Sequence, residues 1–528
     1  MRFGRALLAI DQEFDDLGYT TVSVDGSTND AKTIQDKIDD YGYGYTVVEG
    51  VSALINETIT VPSNMILEFV LQNGITVPGS HDLTQYTKNT DVYSPLITND
   101  DHSSGNSNIQ IVGANIDFDG DNGKSLTQSW AGVWLDNVVD SYVRHCDVYD
   151  VVYDVNWAFG RGFGVLISDS SKSTIEYCKG RHCGYEGIGV RADCDNIIVF
   201  NCEGWNNRQH SMQAAGWSPS DTSDYPEQIM FNSCKGDGNI LVHGSTDENR
   251  MSFTNNMCSY IGVIENVVDV VINNNITKSI YVNSTADQDA TIENIQIINN
   301  QVNDSLNVDS AIKIYTTGTG TKLIQNITIA NNVCTTGTVG NAVNIKTGNA
   351  TTDIRNIYIS NNIANTRRIC SFAGTGAGTI EKIHFDNNTF DPCHAEGILI
   401  KQSESCVVTD LYVNGNSFND AFWPVAGTVD RALFIGNDFS DCSNLDDWES
   451  WTNLTFRDNV GYVSQNNGSG TGTGAEQTIA HGLNKTPTKI ILWNIEDGAN
   501  PYISTAATST NIYITAVSGN DYGWDASF

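Results

Sequence analysis

Seven short stretches in the middle of the chain share one pattern: alternating apolar residues, a polar corner, then another apolar residue. They are Asn294–Val302, Asn326–Val333, Asn356–Ile363, Lys382–Phe390, Asp410–Phe418, Arg431–Phe439 and Asn453–Val460. Their corners are Asn300, Asn332, Asn362, Asn388, Asn416, Asn437 and Asn459, which are 32, 30, 26, 28, 21 and 22 residues apart. A unit that recurs at this period buries its apolar face only against its neighbours, so the period decides the fold.

The series extends backward. Asn275 and Asn256 hold the corner in VVINNN and MSFTNN, then Cys234, Cys202, Cys178 and Cys146 take it over, and Ala114 in IQIVGA is the first clear rung. A residue recurring at one corner of every coil stacks on its neighbours, and stacked Asn amides hydrogen-bond along the axis. Stacked Cys are expected as small buried hydrophobes. A coil spacing of about 4.8 Å is below the usual Cα separation of a disulfide. These four of the twelve Cys are therefore expected to be reduced, with the other eight left open.

This pattern resembles the right-handed parallel β-helix of the pectate-lyase superfamily, the fold of many viral tailspikes and polysaccharide-cleaving enzymes. The resemblance covers roughly residues 20–462. It implies an all-β, single-stranded solenoid. Before it, Asp25-Gly26 and Asp30 form a "DG-x-x-x-D" turn leading into a helix with Ile34 and Ile38 on one face. Asn29 or Asp30 supplies its cap. This order resembles the start of viral tailspikes, where such a helix hides the open end of the solenoid.

The expected organisation is a lead-in and capping helix over 1–45, a parallel β-helix over 46–463, a Gly/Ser/Thr linker over 464–475 and a small β-sandwich over 476–528. The last unit carries His481-Gly482-Leu483, Thr486-Pro487 and a closing Gly523-Trp524, and resembles the domain that ends many phage tail fibres and spikes.

Charge narrows the function. With 63 acidic and 28 basic residues the chain carries a net charge of −35, which excludes nucleic-acid binding through a basic patch. It suits a salt-rich medium, where like-charge repulsion is screened, and a halophilic source is expected; the plainer reading is an acidic extracellular or viral protein from any source. Met1–Ile10 is too short in apolar core for a signal peptide. No stretch reaches membrane-spanning length. A virion surface location satisfies both observations.

Candidate site residues concentrate in the early coils. Three of the first four intervals are 32 residues long and so carry inserted loops, the usual bearers of binding function on a solenoid. Five of the ten Trp lie here: Trp130, Trp134, Trp157, Trp205 and Trp217. Their faces suit sugar rings, although such rings also plug loops against a rod. Alternation points Ile167, Val190, Met212 and Val242 inward and Ser168, Arg191, Gln213 and His243 outward. Trp130, Trp134, Trp157, Arg191, Gln213 and Trp217 are thus the expected ligand-binding set. The expected acid/base groups are Asp193, Glu186, His210 and His243. Against them stands a plain solvated face. The "G-H-G" and "D-P-H" signatures of pectin-cleaving and alginate-epimerising relatives are absent. Asp117, Asp119 and Asp121 alternate before a Gly and resemble a Ca²⁺ loop, although Asp and Gly also suit an ordinary turn.

The reading is a virion spike, on tail or capsid, that binds a host surface glycan or glycoprotein, with depolymerase activity left open. The tailspike resemblance implies a homotrimer joined to other virion proteins at one end, with no membrane insertion. The alternatives are a secreted polysaccharide lyase or glycoside hydrolase, and a structural decoration protein without ligand. The acidity makes its own prediction: the melting temperature rises from low to molar NaCl as repulsion is screened. A melting temperature that stays flat or falls with salt contradicts a halophilic origin.

Overall fold

The computed structural model describes residues 19–26, 30–78, 82–88, 91–118, 129–151, 162–216, 226–243, 250–264, 267–284, 290–304, 310–316, 321–336, 340–347, 352–365, 368–374, 379–391, 399–402, 407–418, 428–442, 452–462, 465–483, 486–495 and 499–527. The chain winds as a right-handed parallel β-helix with three faces. Among the described residues, the first face is a 17-stranded sheet that starts at Tyr19–Val24 and ends at Thr452–Arg457. The second and third faces merge into one 26-stranded sheet, because strands such as Met257–Ile264 bend through the corner and serve both. Among the described rod residues, the only antiparallel pairing joins Tyr86–Lys88 to Asp91–Asn99.

The interior is built in columns. Ile111, Val143, Ile175, Val199, Phe231, Phe253 and Ile272 are successive register partners on the first face, all fully buried. Each such side chain contributes roughly 1.5–3 kcal/mol by leaving water.

Two backbone kinks shape each regular coil. Asn299, Asn331, Asn361 and Asn387 have φ of 58°, 56°, 53° and 55°. Five positions earlier, Asn294, Asn326, Asn356 and Lys382 also lie in the left-handed region. Asn tolerates this conformation better than other residues with a Cβ, and Gly415 and Gly436 hold it in later coils. The first Asn of each "NN" pair therefore turns the chain and the second enters the rod.

That second Asn forms the expected ladder. Asn300 Nδ2 donates to Asn332 Oδ1 at 3.0 Å and to the Ile272 carbonyl at 2.9 Å, and Asn332 Oδ1 also accepts the Asn300 backbone N–H at 2.9 Å. The amide-to-amide bond repeats at every step from Asn256 to Asn459. The Cys rungs take the same place. Cys234 N–H donates to Asn256 Oδ1 at 2.9 Å, which joins the two series. The Sγ atoms of Cys146, Cys178, Cys202 and Cys234 each accept the N–H of the preceding rung. Cys178 Sγ also meets the Val143 carbonyl at 3.4 Å, as the amide does in later coils. All four thiols are free, as expected, and burial pushes each one up, Cys234 to about 12.

The helix α1, Asp30–Tyr41, closes the start of the rod with Ile34 and Ile38 fully buried. Its side chains stand in for a missing coil. Gln35 accepts from Thr60 N at 2.8 Å and donates to Thr60 O at 3.2 Å, while Asp30 Oδ2 accepts Leu54 N at 2.8 Å. The unpaired edge of the first coil is thereby satisfied.

At the other end, two three-stranded antiparallel sheets enclose Leu483, Ile512, Ile514, Tyr522 and Trp524. The expected linker needs correction here: Gln465–Thr471 is a strand paired antiparallel with Asp521–Ser527. Its glycines are the reason. A Cβ on Gly468 would lie 2.8 Å from the Trp524 indole, and one on Gly470 would lie 2.8 Å from the Tyr522 hydroxyl. The neighbouring rings fill the space that glycine leaves, as in aromatic rescue of strand glycines.

Replacing Asn332 by Leu strands the Asn300 N–H, one Asn300 amide hydrogen and the Ile297 carbonyl in the interior. The expected cost is about 3 kcal/mol or more, read as a lowered denaturant midpoint against wild type. An unchanged midpoint would show that the amides are not coupled along the axis.

Candidate functional site

The loop-rich coils present their third face through Asp91–Asn99, Ser129–Asp136, Gly162–Ser168, Glu186–Arg191, His210–Ala215 and Asn239–His243. Val165, Ile167, Ile188, Val190, Met212, Ala214, Ile240 and Val242 point into the core, so the expected alternation holds. The expected register is off by one pair at Gln213. Ser168, Arg191 and Ala215 are the true row, and Gln213 aligns with Gly189 and Leu241.

The outward side chains are not a solvated face. Tyr93, Trp134, Phe163 and Leu166 form a second apolar cluster outside the rod, all fully buried, with Tyr86 and Tyr185 packed against it. Trp134 anchors a polar chain: its Nε1 donates to Ser168 Oγ at 2.8 Å, and Ser168 Oγ donates to Asp136 Oδ1 at 2.6 Å. His102 Nδ1 lies 3.1 Å from Asp136 Oδ2, and its ring stacks on Tyr86 at 4.2 Å. Sequence reasoning missed this His–Asp pair. Alternation places Trp134 beside Asp136, but nothing local announces a partner 34 residues away.

Beside that cluster, Arg191 donates through Nη2 to Glu186 Oε1 and to Gln213 Oε1, the latter at 2.8 Å. All three side chains are buried. Gly189 makes room, since a Cβ there would lie 3.0 Å from Glu186 Oε2. His210 and His243 complete the group. Burial, then the Arg191 charge and His243, push His210 down to about 4; burial and Arg191 push His243 down to about 4. Both imidazoles are neutral at physiological pH. His210 Nδ1 is buried and has no hydrogen-bond partner among the described residues. Chemically the group is a fixed set of donors and acceptors in a dry setting, where polar contacts gain strength.

The two expected carboxylates differ in setting. Glu186 is buried at the start of its strand, whereas Asp193 is exposed on the turn beyond Arg191. Trp130 also departs from expectation: its ring belongs to the interior core and is 3% exposed. Trp134 faces outward but is covered. Trp157, Trp217, Asp119 and Asp121 lie outside the described residues. Asp117 ends a second-face strand and bonds the Tyr149 hydroxyl.

A family model described as the right handed beta helix region matches residues 16–224. No curated protein matches the chain in sequence. Among solved structures the chain is similar to a tailspike protein of E. coli bacteriophage HK620, at 12% identity and a TM-score of 0.46, over 96% of this chain and 91% of that one. It is similar to the Gp54 tailspike of Acinetobacter baumannii bacteriophage AP22, solved with a capsular saccharide, at 10% identity and a TM-score of 0.38, over 98% and 97%. It is also similar to a mannuronan C-5 epimerase A-module of Azotobacter vinelandii, at 11% identity and a TM-score of 0.34, over 83% and 97%.

The two histidines predict a pH dependence. Unfolding returns each from about 4 to its ordinary 6.5, so between these values the unfolded chain binds more protons. Stability therefore falls as pH drops through that window and is level above it, by up to about 3 kcal/mol for each histidine. Melting temperatures taken from pH 4 to 8 should show this slope, and a His210→Gln/His243→Gln variant should flatten it. An equal slope in the variant would place the titration elsewhere.

Proposed function

We propose that this chain is a virion surface spike whose early coils hold a host surface glycan on the third face. One observation carries the reading. The outward side chains between Tyr93 and His243 build a packed, hydrogen-bonded layer outside the rod, with aromatic rings beside the Glu186–Arg191–Gln213 group. Buried polar groups set beside apolar rings are the mixture that orients a sugar. A plain spacer has no use for this second layer. Among the described residues, the later coils repeat Asn rungs, aliphatic and Phe columns inside, and an outer Tyr358–His384–Tyr412 stack.

Binding is favoured over cleavage. Glu186 is fully buried and engaged by Arg191, which does not suit a group that must exchange protons with a substrate. The virion placement, the homotrimer and the attachment to other virion proteins rest on the resemblance of the turn, capping helix and C-terminal unit to those of tailspikes and tail fibres. A glycoprotein of the host surface layer would present the same sugar chemistry.

The test uses Gln213→Ala and His243→Ala in the full chain, with far-UV circular dichroism and oligomer mass as controls. Attachment to host envelope should fall at least tenfold in both variants, and wild type should release no new reducing ends from envelope glycans. Full attachment by intact variants would remove the third face as the site. Released sugar from wild type would restore the depolymerase reading.

A further inference from the structure

We propose a second saccharide site on the second face of the same coils, one corner away from the third-face cluster, that takes a neutral or N-acetylated glycan chain lying along the rod axis. It deepens the glycan-binding reading and rests on it for the ligand class, but it stands on different residues. A cavity of about 470 Å³ opens here, lined in part by Tyr149, Arg181 and Trp205. These three are consecutive register partners, so they rise along the axis one strand spacing at a time. Tyr149 and Trp205 are therefore about 10 Å apart along the axis, two strand spacings, which is about the reach of a disaccharide.

Arg181 fills the interval between the two rings. Its guanidinium lies 5.3 Å from the centre of the Tyr149 ring. Its Nε and Nη2 donate to the two oxygens of Asp147 at 3.0 and 2.5 Å. A phenol, a guanidinium plane fixed by a bidentate carboxylate and an indole thus succeed one another along the groove. Flat surfaces of this kind offer stacking to sugar faces. Asn115 and Asn206, at the two ends of the lining, add amides that can bond hydroxyls or an N-acetyl group.

Charge selects the ligand class. Arg181 is paired with Asp147 and Lys179 with Glu203, so neither cation awaits an anion. Further carboxylates border the groove: Asp150 holds His182 at 3.1 Å, and both oxygens of Asp237 accept the Asn206 N–H at 3.0 Å. Within a chain of net charge −35, a uronate or sialate here meets repulsion, and the arginine of the lining is already paired with Asp147.

The experiment is isothermal titration calorimetry on the full chain with chitotetraose, cellotetraose, maltotetraose and tetragalacturonate. At least one neutral tetrasaccharide should bind, and tetragalacturonate should not. Trp205→Ala should weaken that binding at least tenfold, in line with the weight a Trp carries in a contact. Trp205→Phe should retain most of it, which separates a lost stacking surface from a misfolded coil. The site falls if no neutral tetrasaccharide binds, if tetragalacturonate binds equally well, or if Trp205→Ala binds like wild type. Host attachment sensitive to Gln213→Ala in the same protein would leave the third-face reading standing while this one fails.

Discussion

Each coil turns its sharpest corner on a left-handed residue, and the side chain that follows repairs the hydrogen bonding this corner disturbs. In the later coils the repair is an amide that accepts the N–H of the preceding rung and donates to a carbonyl in that same coil. Every amide is therefore both partner and ligand of its neighbours. A buried group left without a partner costs about as much as several surface contacts together. The rest of the rod depends on this line, because it fixes the angle at which the first face hands the chain to the second. Cys occupies the same line in the early coils with a weaker acceptor, and the joint at Cys234 and Asn256 shows that the two chemistries share one geometry.

Much of this was legible in sequence because the corner demands particular residues. Asn-Asn recurs where one residue must turn left-handed and the next must offer both a donor and an acceptor. The alternation of the third-face strands was legible for the same reason, since apolar residues at every second position have only one interior to enter. Register was not. Counting from the apolar residues sets Gln213 beside Arg191, but Ala214, not Met212, is the partner of Val190. A slip of one pair preserves the inward and outward pattern, so alternation alone cannot detect it. The Arg191–Gln213 contact survives because the long guanidinium reaches diagonally.

The other departures share a cause: glycine and tryptophan act through what lies opposite them. Gly468 and Gly470 read as flexible until Trp524 and Tyr522 are seen to fill their space. Trp130 reads as a groove residue until its ring is found in the core. Sequence distance hides these pairings, as it hides the contact of His102 with Asp136.

The two candidate surfaces also meet across a thin wall. Gly180, Gly204 and Gly236 are register partners on the second face, each directly after a Lys or Glu that follows a ladder Cys. A Cβ on Gly180 would lie 2.3 Å from the Gly187 Cα, and one on Gly236 would lie 2.3 Å from Ser211 Oγ. At Gly180 and Gly187 the backbones of the second and third faces touch directly, and beside Gly236 the small Ser211 side chain fills the gap. Ser211 Oγ closes the seam by donating to Gly204 O and accepting from Gly238 N, each at 2.9 Å. On one side of this wall stand Arg181 and Trp205; on the other stand Glu186 and His210. Backbone packed on backbone leaves few rotamers to adjust, so both surfaces inherit a rigid floor from the same row of glycines. The loops can then vary in length above that floor without disturbing the groups it holds in place.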